Sequence, residues 1–132
     1  MILDIEEIVY DRIKTTYPAS LIAQYPDIKF TTKDRDLINP KFPTVYIHLL
    51  DGTKEIGADL SGDAINGALV MFETQVIDND TQYRAKSVHN EVVKIMKTMG
   101  FSVSQFPTFD NGDSTYRCFA RFRRIVGAND KI

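Results

Sequence analysis

The chain has 132 residues, 43% of them hydrophobic, with 16 Lys and Arg against 18 Asp and Glu for a formal net charge of −2. That length suits one domain with a single core, and a balance this close to neutral argues against a dedicated nucleic-acid binder, which carries a strong basic excess. One cysteine, Cys118, excludes an internal disulfide and is compatible with a reducing cytoplasm; no stretch approaches the roughly 20 apolar residues of a membrane span, and the first residues lack the basic and apolar regions of a secretory leader.

Residues 4–16 predict an amphipathic helix. Asp4 is a natural cap with Glu7 three positions on, Leu3 can staple to Ile8, and Ile5, Ile8, Val9 and Ile13 form the buried stripe. Tyr17-Pro18 ends it, because the residue before a proline is pushed out of the helical region. Residues 19–25 read as one further helical turn closed by Pro26, and 28–32 as a short strand. Residues 33–43, polar with two prolines, read as loop.

Residues 44–50 predict a strand with Val45, Ile47 and Leu49 on one face. From 51 to 66 the periodicity dissolves among glycines, which predicts a long flexible loop with at most a weak edge strand. Residues 67–78 predict the central strand. Val70, Phe72 and Val76 alternate onto one face with Thr74 between them, and Leu69, Met71, Glu73, Gln75 and Ile77 take the other. Asp78-Asn79-Asp80 breaks it. A second helix follows, capped at Asn79, Asp80 or Thr81, with Ala85, Val88, Val92, Ile95, Met96 and Met99 as its stripe and Gly100 just past its end. Residues 101–106 predict a strand and 107–113 a connection holding the Asn111-Gly112 turn signal. Residues 114–126 predict the last strand, with Tyr116, Cys118, Ala120 and Phe122 opposite Arg117, Phe119, Arg121 and Arg123. The tail, 127–132, reads as frayed.

The predicted architecture is α+β, a mainly antiparallel sheet with two amphipathic helices packed on one face, in the order α-β-β-β-α-β-β and in a single domain over 1–132. The other face keeps Leu69, Met71, Ile77 and Phe119 among its polar residues, and such a row points to a partner.

Signs of catalysis are absent from the sequence. His48 and His89 are the only histidines, and neither has a cysteine or carboxylate at ligand spacing. Each reads as structural, His89 on the rim of the helix stripe. Cys118 alternates with apolar neighbours and reads as a buried, inert thiol. The acidic clusters at 59–63, 78–80 and 110–113 fall at turns, where Asp and Asn belong, and miss the register of a calcium loop. With no phosphate loop, nucleophile elbow or zinc motif, no catalytic, cofactor-binding or metal-binding residue is assigned. One constellation stands out: Arg117, Arg121 and Arg123 on one face, with Arg124 beside them and Phe119 among them. It is either a solvated outer face or an interaction surface, where Arg and aromatics concentrate.

Four stretches carry a resemblance, the close of the chain with the most weight. The Asp4-Ile5-Glu6 helix start, the Phe42-Pro43-Thr44-Val45 strand start, and Phe72-Glu73-Thr74-Gln75-Val76 running into a long helix resemble small tail proteins of long-tailed bacteriophages and prophages. The close of the chain, Met99-Gly100-Phe101 and then 113–122 with Tyr116-Arg117-Cys118-Phe119-Ala120-Arg121-Phe122, is similar to that of the tail terminator (tail completion, tail-to-head joining) family. The resemblance spans nearly the whole chain in element order and is weakest over 33–66. It implies a structural virion protein with no cofactor and no catalysis. Family members form rings, commonly hexamers, that cap the tail tube, stop its polymerisation and present a surface to the head–tail connector or stopper protein. On that resemblance Met71, Glu73 and Gln75 would make ring contacts or line the lumen. The 51–66 loop and the turn with Phe109, Asp110 and Asn111 would meet neighbouring subunits, the tail tube protein or the connector. Arg117, Arg121 and Arg123, with Phe119, would pair with carboxylates across a subunit interface or face genomic DNA in the channel. Three other classes remain: a head-closure or stopper subunit, a ferredoxin-like ligand-binding or enzymatic domain, and a nucleic-acid binder with steep salt dependence.

Overall fold

The computed structural model describes residues 4–32, 41–50, 54–56, 67–112 and 114–127. In chain order the elements are α1 (Ile5–Thr16), α2 (Ala19–Gln24), β1 (Lys29–Thr31), β2 (Thr44–Leu49), β3 (Lys54–Ile56), β4 (Gly67–Asp78), α3 (Gln82–Thr98), β5 (Ser102–Phe109) and β6 (Tyr116–Gly127). The architecture is α+β, as the sequence patterns predict. The sheet runs β1-β2-β4-β6-β5, and β3 continues along the same side of β4 as β2. All pairings are antiparallel except β1 with β2, which agrees with the mainly antiparallel sheet expected from the sequence.

Strict alternation along β4 decides how the layers stack. Ala68, Val70, Phe72, Thr74, Val76 and Asp78 are buried, while the residues between them are half-buried. β6 repeats the pattern with Cys118, Ala120, Phe122 and Val126 inward. Val45 and Ile47 of β2 join this face, which receives Ile5, Val9 and Ile13 of α1 and Ala85, Val88, Val92, Ile95 and Met96 of α3. Phe72 meets Phe101 edge to face at 5.5 Å. Full burial of each such side chain contributes about 1.5–3 kcal/mol, so the helices are held chiefly by this apolar layer. Polar links fix their setting. The Glu6 carboxylate accepts the backbone N–H of Leu49 at 3.0 Å, and the Tyr17 hydroxyl donates to the carbonyl of Val88 at 3.0 Å.

The helix ends follow from local chemistry, with one departure from expectation. Asp4 stands at the N-cap of α1, but its side chain makes no capping hydrogen bond; the Leu3 staple lies outside the described residues. At α3 the cap is Thr81, the last of the three candidates, whose Oγ1 accepts the N–H of Arg84 at 3.1 Å. Asp78 supports this cap from the end of β4, where its Oδ2 accepts the N–H groups of Asp80 and Thr81. Tyr17 ends α1 before Pro18, and Tyr25 ends α2 before Pro26. Past α3, Gly100 takes φ +84°, while the N–H of Gly100 reaches Lys97 and that of Phe101 reaches Met96. This paired-bond stop needs a left-handed residue.

β5 runs on through Pro107 to Phe109, three residues beyond the predicted end. It is an edge strand broken by two register shifts, where a proline lacking an N–H is tolerated. Gly127, expected to begin the frayed tail, pairs with Gly67 at the end of β6; 128–132 lie outside the described residues. So do 33–40 and most of the 51–66 loop, in which β3 is the expected weak edge strand.

Gly100→Ala places a Cβ at 3.1 Å from Arg124 Nε on a backbone L-residues resist. It should lower unfolding free energy by about 1–2 kcal/mol, read as a fall in the urea midpoint at unchanged m-value.

Candidate interaction face

The outer face of the sheet is set by the register of β4 with β6. Leu69 stands opposite Ile125, Met71 opposite Arg123, Glu73 opposite Arg121, Gln75 opposite Phe119 and Ile77 opposite Arg117. On the far side of β4, Tyr46 faces Gln75 and His48 faces Glu73, and the two β2 rings stack at 5.5 Å. Among the described residues every helix lies on the opposite face and none covers this one. Its apolar members are half-buried by their neighbours, except Ile125, which is 62% exposed.

The polar members of the face form a connected chain. Arg117 Nη2 donates to Asp110 Oδ2 at 2.7 Å, its Nη1 reaches Gln75 Oε1 at 3.5 Å, and its guanidinium lies over the Phe119 ring at 5.4 Å. Gln75 Nε2 donates to Glu73 Oε1, and Glu73 Oε2 accepts from Arg121 Nε at 3.0 Å. Arg123 is exposed one step further along β6. Exposed ion pairs of this kind contribute about 0–1 kcal/mol each to stability. They hold the arginine heads in fixed positions more than they hold the fold.

Seven of the residues singled out in the sequence therefore share one face: Met71, Glu73, Gln75, Arg117, Phe119, Arg121 and Arg123. Asp110 reaches it from the β5–β6 turn through Arg117. Two others do not. Phe109 ends β5 opposite Cys118 and packs against the core rather than standing in a loop, because alternation turns it inward. Asn111 donates to Gln82 at the head of α3. Arg124 also departs from the arginine row. It is the inward-turned neighbour of Arg123, with its guanidinium against Gly100.

Beneath the sheet lies a buried polar trio that sequence reasoning missed. His89 is fully buried rather than on the rim, with Nε2 at 2.8 Å from Thr74 Oγ1 and Nδ1 at 3.2 Å from Cys118 Sγ. The spacing 85-89-92-96 would have put it in the stripe, had a polar residue been admitted there. Burial pushes its pKa down to about 4 from 6.5, against an opposing hydrogen bond to Thr74. Burial pushes the Cys118 thiol up to about 11, with Lys86 acting weakly the other way. Both groups are neutral at physiological pH, which suits packing rather than nucleophilic chemistry.

A second polar centre sits at the head of α3, where Arg84 Nε lies 3.3 Å from the buried Asp78 Oδ1 and Nη1 lies 3.5 Å from Asp80. The same guanidinium stacks on Tyr25 at 4.7 Å and donates to the carbonyl of Phe42 at 3.4 Å. On the helix side, an open depression of about 440 Å³ is lined by Leu21, Ser87, Asn90, Glu91, Val93 and Lys94. Among the described residues no three His, Cys, Asp or Glu side chains are grouped to hold a metal ion, and no helix is long and apolar enough to cross a membrane. No protein-family model matches the chain, and no curated protein matches it.

Between about pH 6.5 and pH 4 the unfolded chain protonates His89 while the fold excludes that proton. Stability from this group is present above the window and lost as pH falls through it, by about 3 kcal/mol in all. Urea titrations across that range should show the decline, and in His89→Gln that part of the slope should vanish.

Proposed function

We propose that the protein is a structural subunit of the tail terminator type, closing with copies of itself into a ring that caps the tail tube of a long-tailed phage or prophage. The ring, commonly a hexamer in the family this chain resembles, would stop tube polymerisation and join tail to head. Its partners would be its own copies, the tail tube protein and the head–tail connector or stopper protein, with passing contact to genomic DNA and none to membrane. It would assemble in the host cytoplasm and act in the virion at the tail–neck junction, without cofactor and without catalysis.

The observation that carries this reading is the open outer face. Five apolar side chains, Leu69, Met71, Ile77, Phe119 and Ile125, lie there in two adjacent strands, interleaved with an ordered set of charges. Such a row in a two-layer domain suits burial against another subunit. Further support comes from the positions of the resembling stretches. Pro43 is buried at the start of β2, and Met99-Gly100-Phe101 forms the stop of α3.

Light scattering and electron microscopy of the protein mixed with its cognate tail tubes test the reading. A ring-sized mass and a cap of density on one tube end are expected. A monomer at every concentration together with bare tube ends would reject it, and attachment to filled heads alone would assign the stopper role instead.

A further inference from the structure

We propose that the ring contact runs head to tail, with the arginine face of the sheet in one copy seated against the outward ridge of α1 in the next. This rests on the ring reading above and names the two surfaces that would meet. The second surface is acidic. Asp4, Glu7 and Asp11 are exposed, and at spacings of three and four they lie in one row on the side of the helix opposite the buried Ile5, Val9 and Ile13, a row that the exposed Lys14 closes at its C-terminal end and that keeps an acidic excess.

That row does not serve the helix itself. Carboxylates at the first turn suit the helix dipole, but Asp11 lies beyond its reach; Glu7 and Asp11, like charges four apart, weaken the helix, and Lys14 three residues on offsets only part of this. The fold puts α1 in the layer on the other side of the sheet from Arg117, Arg121 and Arg123. Each copy therefore presents on one side an apolar-lined face where Arg117, Arg121 and Arg123 outnumber Glu73 and Asp110, and on the other a ridge where three carboxylates outnumber Lys14. Contacts between unlike surfaces can close into a ring, and successive copies would alternate sheet, helices, sheet around it. A two-fold pairing of sheet on sheet would instead set the arginines of one copy against those of the other, a like-charge arrangement that interfaces reject. Burial of Met71, Phe119 and Ile125 would supply affinity, and the charges would choose the surface and the register.

Charge-swapped variants test this. Arg121→Glu/Arg123→Glu and Glu7→Lys/Asp11→Lys should each lose self-association by at least about tenfold, the helix variant with a near-native urea midpoint and the sheet variant with a modest fall from the lost Glu73–Arg121 pair. Mixed one to one they should recover wild-type ring mass, because each contact then joins opposite charges. Should the sheet variant fold poorly, Arg123→Glu alone carries the same expectation at smaller amplitude. Rings formed by both variants alone would overturn the proposal and leave the ring reading standing. Loss in the sheet variant that the mixture does not repair would also overturn it, since α1 would not then be the surface met. Duplex DNA bound by the wild type and lost in the sheet variant, with ring mass unchanged, would assign the arginines to DNA and overturn it too. A wild-type chain that stays monomeric even on tube ends would end both the proposal and the reading beneath it.

Discussion

The twelve-pair ladder between β4 and β6, from Gly67 opposite Gly127 to Asp78 opposite Tyr116, is the constraint from which the rest follows. A strand has a side-chain period of two, so a slip of one residue would exchange its faces. In this register Phe72 meets Phe122 and Val76 meets Cys118 on the inner side, while Glu73 meets Arg121 and Met71 meets Arg123 on the outer side. Slipping by one would drive arginines under α3 and lift phenylalanines into water. The apolar core and the charged face are thus two readings of one register. Neither can drift without the other.

Burial alone would let the helices slide on the sheet. Three directional contacts oppose that. Glu6 ties the first turn of α1 to the end of β2, the Tyr17 hydroxyl ties the end of α1 to the middle of α3, and His89 ties α3 to β4 and β6 together. A buried polar group without a partner costs about 1–3 kcal/mol, so each contact penalises displaced packings more than it rewards the native one. Arg84 plays a related part at the head of α3, gathering Asp78, Asp80, Tyr25 and the carbonyl of Phe42 around one guanidinium.

What could be read from the sequence was what periodicity encodes. Both long helices, the four longer strands, the inward rows of β4 and β6 and the outer row with its arginines all follow from spacings of two and of three to four. Contacts between residues far apart in the chain left no such trace. The cap of α3 was one of three adjacent candidates, and backbone geometry chose Thr81. His89 fell in the correct row but was set on the rim, because a lone histidine does not announce that Thr74 and Cys118 stand ready to satisfy it. Phe109 is not legible as a strand residue because Pro107 before it reads as a strand breaker. At an edge with two register shifts it breaks nothing, and the alternation continues past it. Arg124 shows the converse: arginines adjacent in sequence on a strand are on opposite sides of the sheet, and one of the four had to turn inward.

The outer face also shows how charges order one another beside apolar side chains. Its apolar side chains are flanked by charged neighbours that keep water close, and those neighbours are already ordered by one another. A free arginine loses considerable rotamer entropy when a partner fixes it, but Arg117 and Arg121 are held by Asp110, Gln75 and Glu73 before any partner arrives. A guanidinium offers five donors in a planar fork, and the contact of Arg121 with Glu73 engages its Nε. The same side chain can therefore keep its internal bond and present its remaining edge to a carboxylate from outside. Preorganisation of this kind lowers the ordering cost of any contact the arginines make, and it follows from the same register that sets Glu73 opposite Arg121.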